Sequence, residues 1–177
     1  VTPGQGCSDR SFLTDTMEVG QICFARSYAG EAWNIALVKR DTVAPTVSAS
    51  AATQPNAAGW YRQNVTVSYG CTEATSGFAT LCPASELLSQ EGTGISTTVK
   101  TVRDMAGHVG SSNIVTVKLD KTPPVTSVTP TTQPNALGWY RSNIVVNFTC
   151  TDALSGMVAP CTPQMIVSTE GANNPGE

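Results

Sequence analysis

The stretch QPNAAGWYRQN, residues 54–64, recurs as QPNALGWYRSN, residues 133–143. The same shift lays CTEATSG (71–77) on CTDALSG (150–156), Cys82 on Cys161, and Glu91-Gly92 on Glu170-Gly171. Nearer the start it lays NIALVKRDTVAP (34–45) on NIVTVKLDKTPP (113–124), so a partial copy precedes the first complete one. A fixed period of this length, about 79 residues, marks a chain built from repeated supersecondary units. The 177 residues hold about two and a quarter of them: residues 1–41 carry the C-terminal part of a unit, 42–120 a complete unit, and 121–177 the N-terminal part of a third.

Within the complete unit, strand candidates fall at 44–50, 64–70, 77–82, 85–90, 95–103 and 113–119. Each is short and rich in Val, Ile, Thr or aromatic residues. Alternation in Val65, Val67 and Tyr69, and again in Ile114, Val115, Val117 and Leu119 with Thr116 and Lys118 between them, predicts strands with one buried face. Pro and Gly clusters at Pro55 to Gly59, Ser76-Gly77, Gly92 to Gly94 and Ala106-Gly107 punctuate them, with no helical period longer than a turn. The expected fold class is all-β, a two-sheet immunoglobulin-like sandwich repeated about every 79 residues. The junctions VKRDTVAP and VKLDKTPP are short and Pro-stiffened, so successive units are expected to form an elongated rod.

Bulk composition narrows function. Apolar residues make up 40% of the chain and charged ones 13%. That charged share is about half the usual one, which suits a folded β protein. The net charge is −3 and the ten Lys and Arg never cluster, so no nucleic-acid partner is expected. No apolar run reaches the roughly 18–20 residues of a membrane span, and residues 1–20 lack the charged-then-apolar pattern of a signal peptide; any leader or anchor is expected to be gone already. Six cysteines form three local pairs, Cys7 with Cys23, Cys71 with Cys82 and Cys150 with Cys161, none spaced as C-x-x-C. Disulfides follow, and with them an extracellular or cell-surface location.

The pattern D-K-T-P-P, P-N-A-x-G-W-Y, C-x-D-A-x-S-G, a second Cys, S-T-E-G and D-x-A-G-N resembles bacterial immunoglobulin-like repeats, which occur in tandem in secreted and surface proteins. It is carried by Asp120 to Pro124, Pro134 to Tyr140, Cys150 to Gly156, Cys161, Ser168 to Gly171 and the turn Asp104 to His108, and covers residues 42–177. The N-terminal segment departs from it: Ser27 stands at the Asp of the turn, and Cys7 and Cys23 have no counterpart as a pair. The resemblance implies a structural, spacer or adhesive role and no reaction.

Several residues invite sharper readings. Trp60, Tyr61, Trp139 and Tyr140 follow a tight turn, where aromatics plug the end of their own core, stack on sugar rings or dock against an adjacent module; a glycan or surface receptor is the alternative partner to self-association. Asp41, Asp120, Asp104, Glu73 and Asp152 offer oxygens to calcium, but turn chemistry accounts for most of them and no D-x-D-x-D-G run is present; no cofactor is expected, with calcium as the alternative. His108 is the one histidine and reads as a turn residue, so no enzyme is expected. Asn64-Val-Thr66 and Asn147-Phe-Thr149 are N-glycosylation sequons.

The partial units at the two ends are complementary, and a sandwich lacking strands leaves a groove and open edges. Two accounts follow. The chain is a window on a longer repeat array, a spacer or adhesin stalk; or strands around Ile22, Phe24, Ile35, Leu37 and Lys39 of one copy complete the C-terminal half-unit of the next, head to tail, and build a filament. A third account, an accessory carbohydrate-binding module of a secreted enzyme or adhesin, predicts loss of polysaccharide binding on Trp60→Ala and Trp139→Ala.

Overall fold

The computed structural model describes residues 11–171, and among them it is all-β. The strands of the described residues are, in chain order, β1 Thr16–Ser27, β2 Gly30–Arg40, β3 Thr46–Ala51, β4 Trp60–Tyr61, β5 Val65–Thr72, β6 Glu86–Leu88, β7 Gly92–Ser96, β8 Thr101–Arg103, β9 Val109–Ser111, β10 Thr116–Leu119, β11 Val125–Pro130, β12 Ile144–Thr151 and β13 Gln164–Val167. No helix among these residues is long and apolar enough to cross a membrane.

The strands form several small sheets within two compact units. One unit gathers the chain through Gln54 with Asn64–Leu88 and Ser96–Thr116. It contains the β1–β2 hairpin, the three-stranded sheet β3-β5-β6 and the pair β8-β9. Its core is Ala49, Val65, Val67, Leu88 and Val102. Val65 and Val67 are fully buried, as alternation along β5 requires. The other unit gathers Pro55–Gln63, Ser89–Ile95 and the chain from Val117. It contains β4-β10-β7, where Trp60–Tyr61 runs parallel to Lys118–Leu119, and the antiparallel sheet β11-β12-β13. Val117, Leu119 and Val146 are its buried apolar residues.

Two strand expectations need correction. Residues 77–82 form no strand: Phe78 makes a single bridge to Asp104, and Ala79 and Thr80 donate to the Arg103 carbonyl. Gly77, at φ +80°, turns the backbone out of the extended region, a conformation that glycine adopts at little cost. The Cys71–Cys82 bond then holds the segment as a loop. The 95–103 stretch divides into β7, which ends at Ser96, and β8, which starts at Thr101. Thr97 causes the break, since its buried hydroxyl accepts from Val115 N at 3.1 Å. A side-chain acceptor of this kind competes with a regular ladder.

Several buried polar side chains pair with backbone, as burial favours. The Ser112 hydroxyl accepts from Lys100 N at 3.0 Å, and Asp104 Oδ1 from His108 N at 2.8 Å. Gly110 allows a close approach: a Cβ there would sit 1.9 Å from the Pro45 carbonyl oxygen.

Candidate functional site

The residues singled out by the repeat occupy turns and strand ends. Asn56 closes its turn by accepting from Ala58 N (3.0 Å) and Trp60 N (2.9 Å) through one carboxamide oxygen. Asn135 does the same with Leu137 N (3.0 Å) and Trp139 N (2.9 Å). Gly59 and Gly138 complete these turns at φ +82° and +84°, where a side chain would be strained. The Cys71–Cys82 and Cys150–Cys161 disulfides form, each spanning 11 positions. Cys23 is disulfide-bonded, while Cys7 lies outside the described residues.

The aromatics that follow these turns differ. Trp60 is half-buried in β4, and Lys118 Nζ lies 5.9 Å from its ring centroid, a cation–π contact. Tyr61 and Tyr140 are half-buried as well. Trp139 is 54% exposed, and Trp139–Tyr140 belongs to no strand. Asn64 and Asn147 are both exposed, Asn64 just ahead of β5 and Asn147 within β12.

The junction aspartates act as clasps. Asp41 accepts from Val43 N (3.0 Å) and Ser76 N (3.2 Å), and Asp120 from Thr122 N (3.0 Å) and Ser155 N (2.9 Å). Each ties its Asp-to-Pro segment to the Ser-Gly turn that follows Cys71 or Cys150. Hydrogen bonding from Ser76, reinforced by Val43 N, holds the Asp41 carboxyl below the usual carboxylate range, and Ser155 does the same for Asp120. Donors aimed at a carboxylate favour its charged form. Glu73 accepts from Thr75 N (2.8 Å), and Asp152 from Gly156 N (2.8 Å).

One grouping escaped the sequence. Asp41, Asp104 and His108 bring ligand atoms within 4.8 Å of one another. Asp104, its side chain fully buried, meets the imidazole Nδ1 at 3.1 Å. Two carboxylates and an imidazole suit a transition metal better than calcium, which takes six to eight oxygens. Each carboxylate already accepts from backbone, Asp41 from Val43 N and Ser76 N and Asp104 from His108 N. The closeness of Asp104 and His108 in sequence, with an intervening Gly107 at φ +100°, was the only signal of their contact.

The segment expected to donate strands is the β1–β2 hairpin, where Ile22 faces Ile35 and Phe24 faces Trp33 in register. Ile35 and Leu37 are exposed, and Lys39 reaches Glu18 at 3.4 Å. The side chains of Ile22 and Phe24 lie outside the described residues.

No protein-family model, no curated protein and no solved structure matches the chain.

Proposed function

We propose that this chain is an extracellular structural repeat protein whose immunoglobulin-like sandwiches, one in about 79 residues, stack end to end as a rod or filament, a surface fibre or adhesin stalk. The observation that carries the reading is the recurrence of whole local devices at that spacing. The Asn56 and Asn135 turns, the Asp41–Ser76 and Asp120–Ser155 clasps and the two disulfides are built from equivalent residues with nearly equal distances. Such devices specify a fold and its stacking, and their chemistry is spent on backbone N–H groups rather than offered to a substrate. The disulfides suit an oxidising compartment.

Electron microscopy of the protein from its native source tests this: thin, extended particles are expected, and isolated compact particles would contradict it. The half-exposed Trp139 favours a second reading, an accessory carbohydrate-binding module. Retention on an insoluble polysaccharide that is abolished by Trp139→Ala would replace the first reading with the second.

A further inference from the structure

Three loops of one compact unit converge. The junction supplies Asp41, the Ser-Gly turn supplies Ser76, and the turn between β8 and β9 supplies Asp104 and His108. Backbone bonds hold them in place: Ser76 N donates to Asp41 Oδ2 (3.2 Å), Met105 N to the Gly77 carbonyl (3.0 Å) and Asp104 N to the His108 carbonyl (3.1 Å). The charges gathered there are unbalanced. Asp41, Asp104 and His108 bring ligand atoms within 4.8 Å of one another, and the Asp104 side chain is fully buried. Among the described residues no Lys or Arg pairs with either carboxylate, so His108 is their one cationic counterpart, and only when protonated. Two carboxylates this close, one of them out of water, repel each other unless a cation joins them. Ser76 Oγ is a second sign: it is enclosed beside the Asp41 carboxylate and makes no hydrogen bond of good geometry. An enclosed hydroxyl normally has a partner, and an ion or its water supplies one.

The existing hydrogen bonds leave room for a metal. A carboxylate carries about four lone-pair sites. Asp41 and Asp104 each use two, the first on Val43 N and Ser76 N, the second on His108 N and the imidazole. We propose that Asp41, Asp104 and His108 bind one divalent transition-metal ion, of which Zn²⁺ is the type, with Ser76 Oγ beside it and water completing the shell. An imidazole with carboxylates suits such an ion, whereas calcium takes six to eight oxygens. Ligand atoms of a tetrahedral zinc centre lie about 3.3 Å apart. Asp104 Oδ2 and His108 Nδ1 already stand at 3.1 Å, and Asp41 has at most about 1.5 Å left to close. The ion takes the place of the proton between Asp104 and His108 and cross-links the junction to the β8–β9 turn, so its binding stabilises the fold. The inference stands apart from the repeat reading, because all four residues lie within one unit.

The chain has one histidine and, among the described residues, no free cysteine, so zinc meets few competing ligands. The test is calorimetric titration of Zn²⁺ into the intact, oxidised chain, stripped of metal beforehand by a chelator that is then dialysed away. One site per chain is expected, with a higher melting temperature once it is filled. His108→Ala and Asp41→Asn are each expected to weaken binding by roughly tenfold to a hundredfold or more. NMR of the imidazole nitrogens covers the case in which a variant fails to fold. In the wild type, zinc should shift one ring nitrogen of His108 to a ligated position, and the shift should saturate at one ion per chain. No binding, binding that leaves the His108 ring unmoved, a folded His108→Ala chain that binds as the wild type does, or calcium that binds as tightly as zinc would each overturn the site.

Discussion

Asp41 and Asp120 work because a carboxylate accepts from two backbone N–H groups at once, one in the junction and one in the distant Ser-Gly turn. Their carboxyls, like that of Glu86 beside Lys100, are held below the ordinary range in the folded state. A depressed folded pKa contributes stability that is present above the unfolded value, about 4, and is lost as pH falls through the folded value. The melting temperature should therefore stay level from pH 7 to about 5 and fall below about 4. Asp120→Asn should lower it at neutral pH and flatten the acid limb, which a thermal melt at each pH would read. Gly110 offers a contrast within the same chain. Gly110→Ala sets a Cβ 1.9 Å from the Pro45 carbonyl oxygen, whereas Gly94→Ala meets nothing within 4 Å. The first should destabilise by about 1–3 kcal/mol or more and the second should be near neutral in denaturant melts. The difference is not visible in the letters, where each glycine sits between a β-branched residue on one side and a hydroxyl residue on the other, Val109 and Ser111 for Gly110, Ile95 and Thr93 for Gly94.

At the scale of elements, the sequence revealed what is local and periodic. The strands at 44–50, 64–70 and 113–119 correspond to β3, β5 and β10, and the Val65-Val67 and Val117-Leu119 alternations are the buried faces. The cysteine pairs at 71 and 82 and at 150 and 161 were legible from spacing alone. Contacts between residues far apart were not legible. Asn113 was expected to open the strand at 113–119, but β10 begins at Thr116, and only the fold brings the Asn113 carboxamide to the Ala49 backbone. β4, two residues long, exists because Lys118–Leu119 lies beside it. The expected strand at 77–82 failed because an apolar Phe78-Ala79 start outweighed the positive-φ Gly77 in a pattern reading. The disulfide that follows closes a short loop, so replacing Cys71 and Cys82 together by Ser should remove about 2–3 kcal/mol, seen as a lower midpoint in urea. Leu119 is fully buried in β10. Its replacement by Ala should remove about 2–5 kcal/mol.

For the whole molecule, the proposed repeat reading makes residues 42–120 the folding unit, bounded by the Asp41 and Asp120 clasps. Small β units of this size are marginal, and the disulfide and the clasp supply what a modest core does not. The most direct measurement is to express residues 41–122 alone, oxidised, beside residues 120–177 alone, and to follow denaturant unfolding of each by circular dichroism. One cooperative transition is expected for 41–122 and none for 120–177. An unstructured 41–122, or a 120–177 that unfolds as cooperatively by itself, would contradict the repeat as the folding unit.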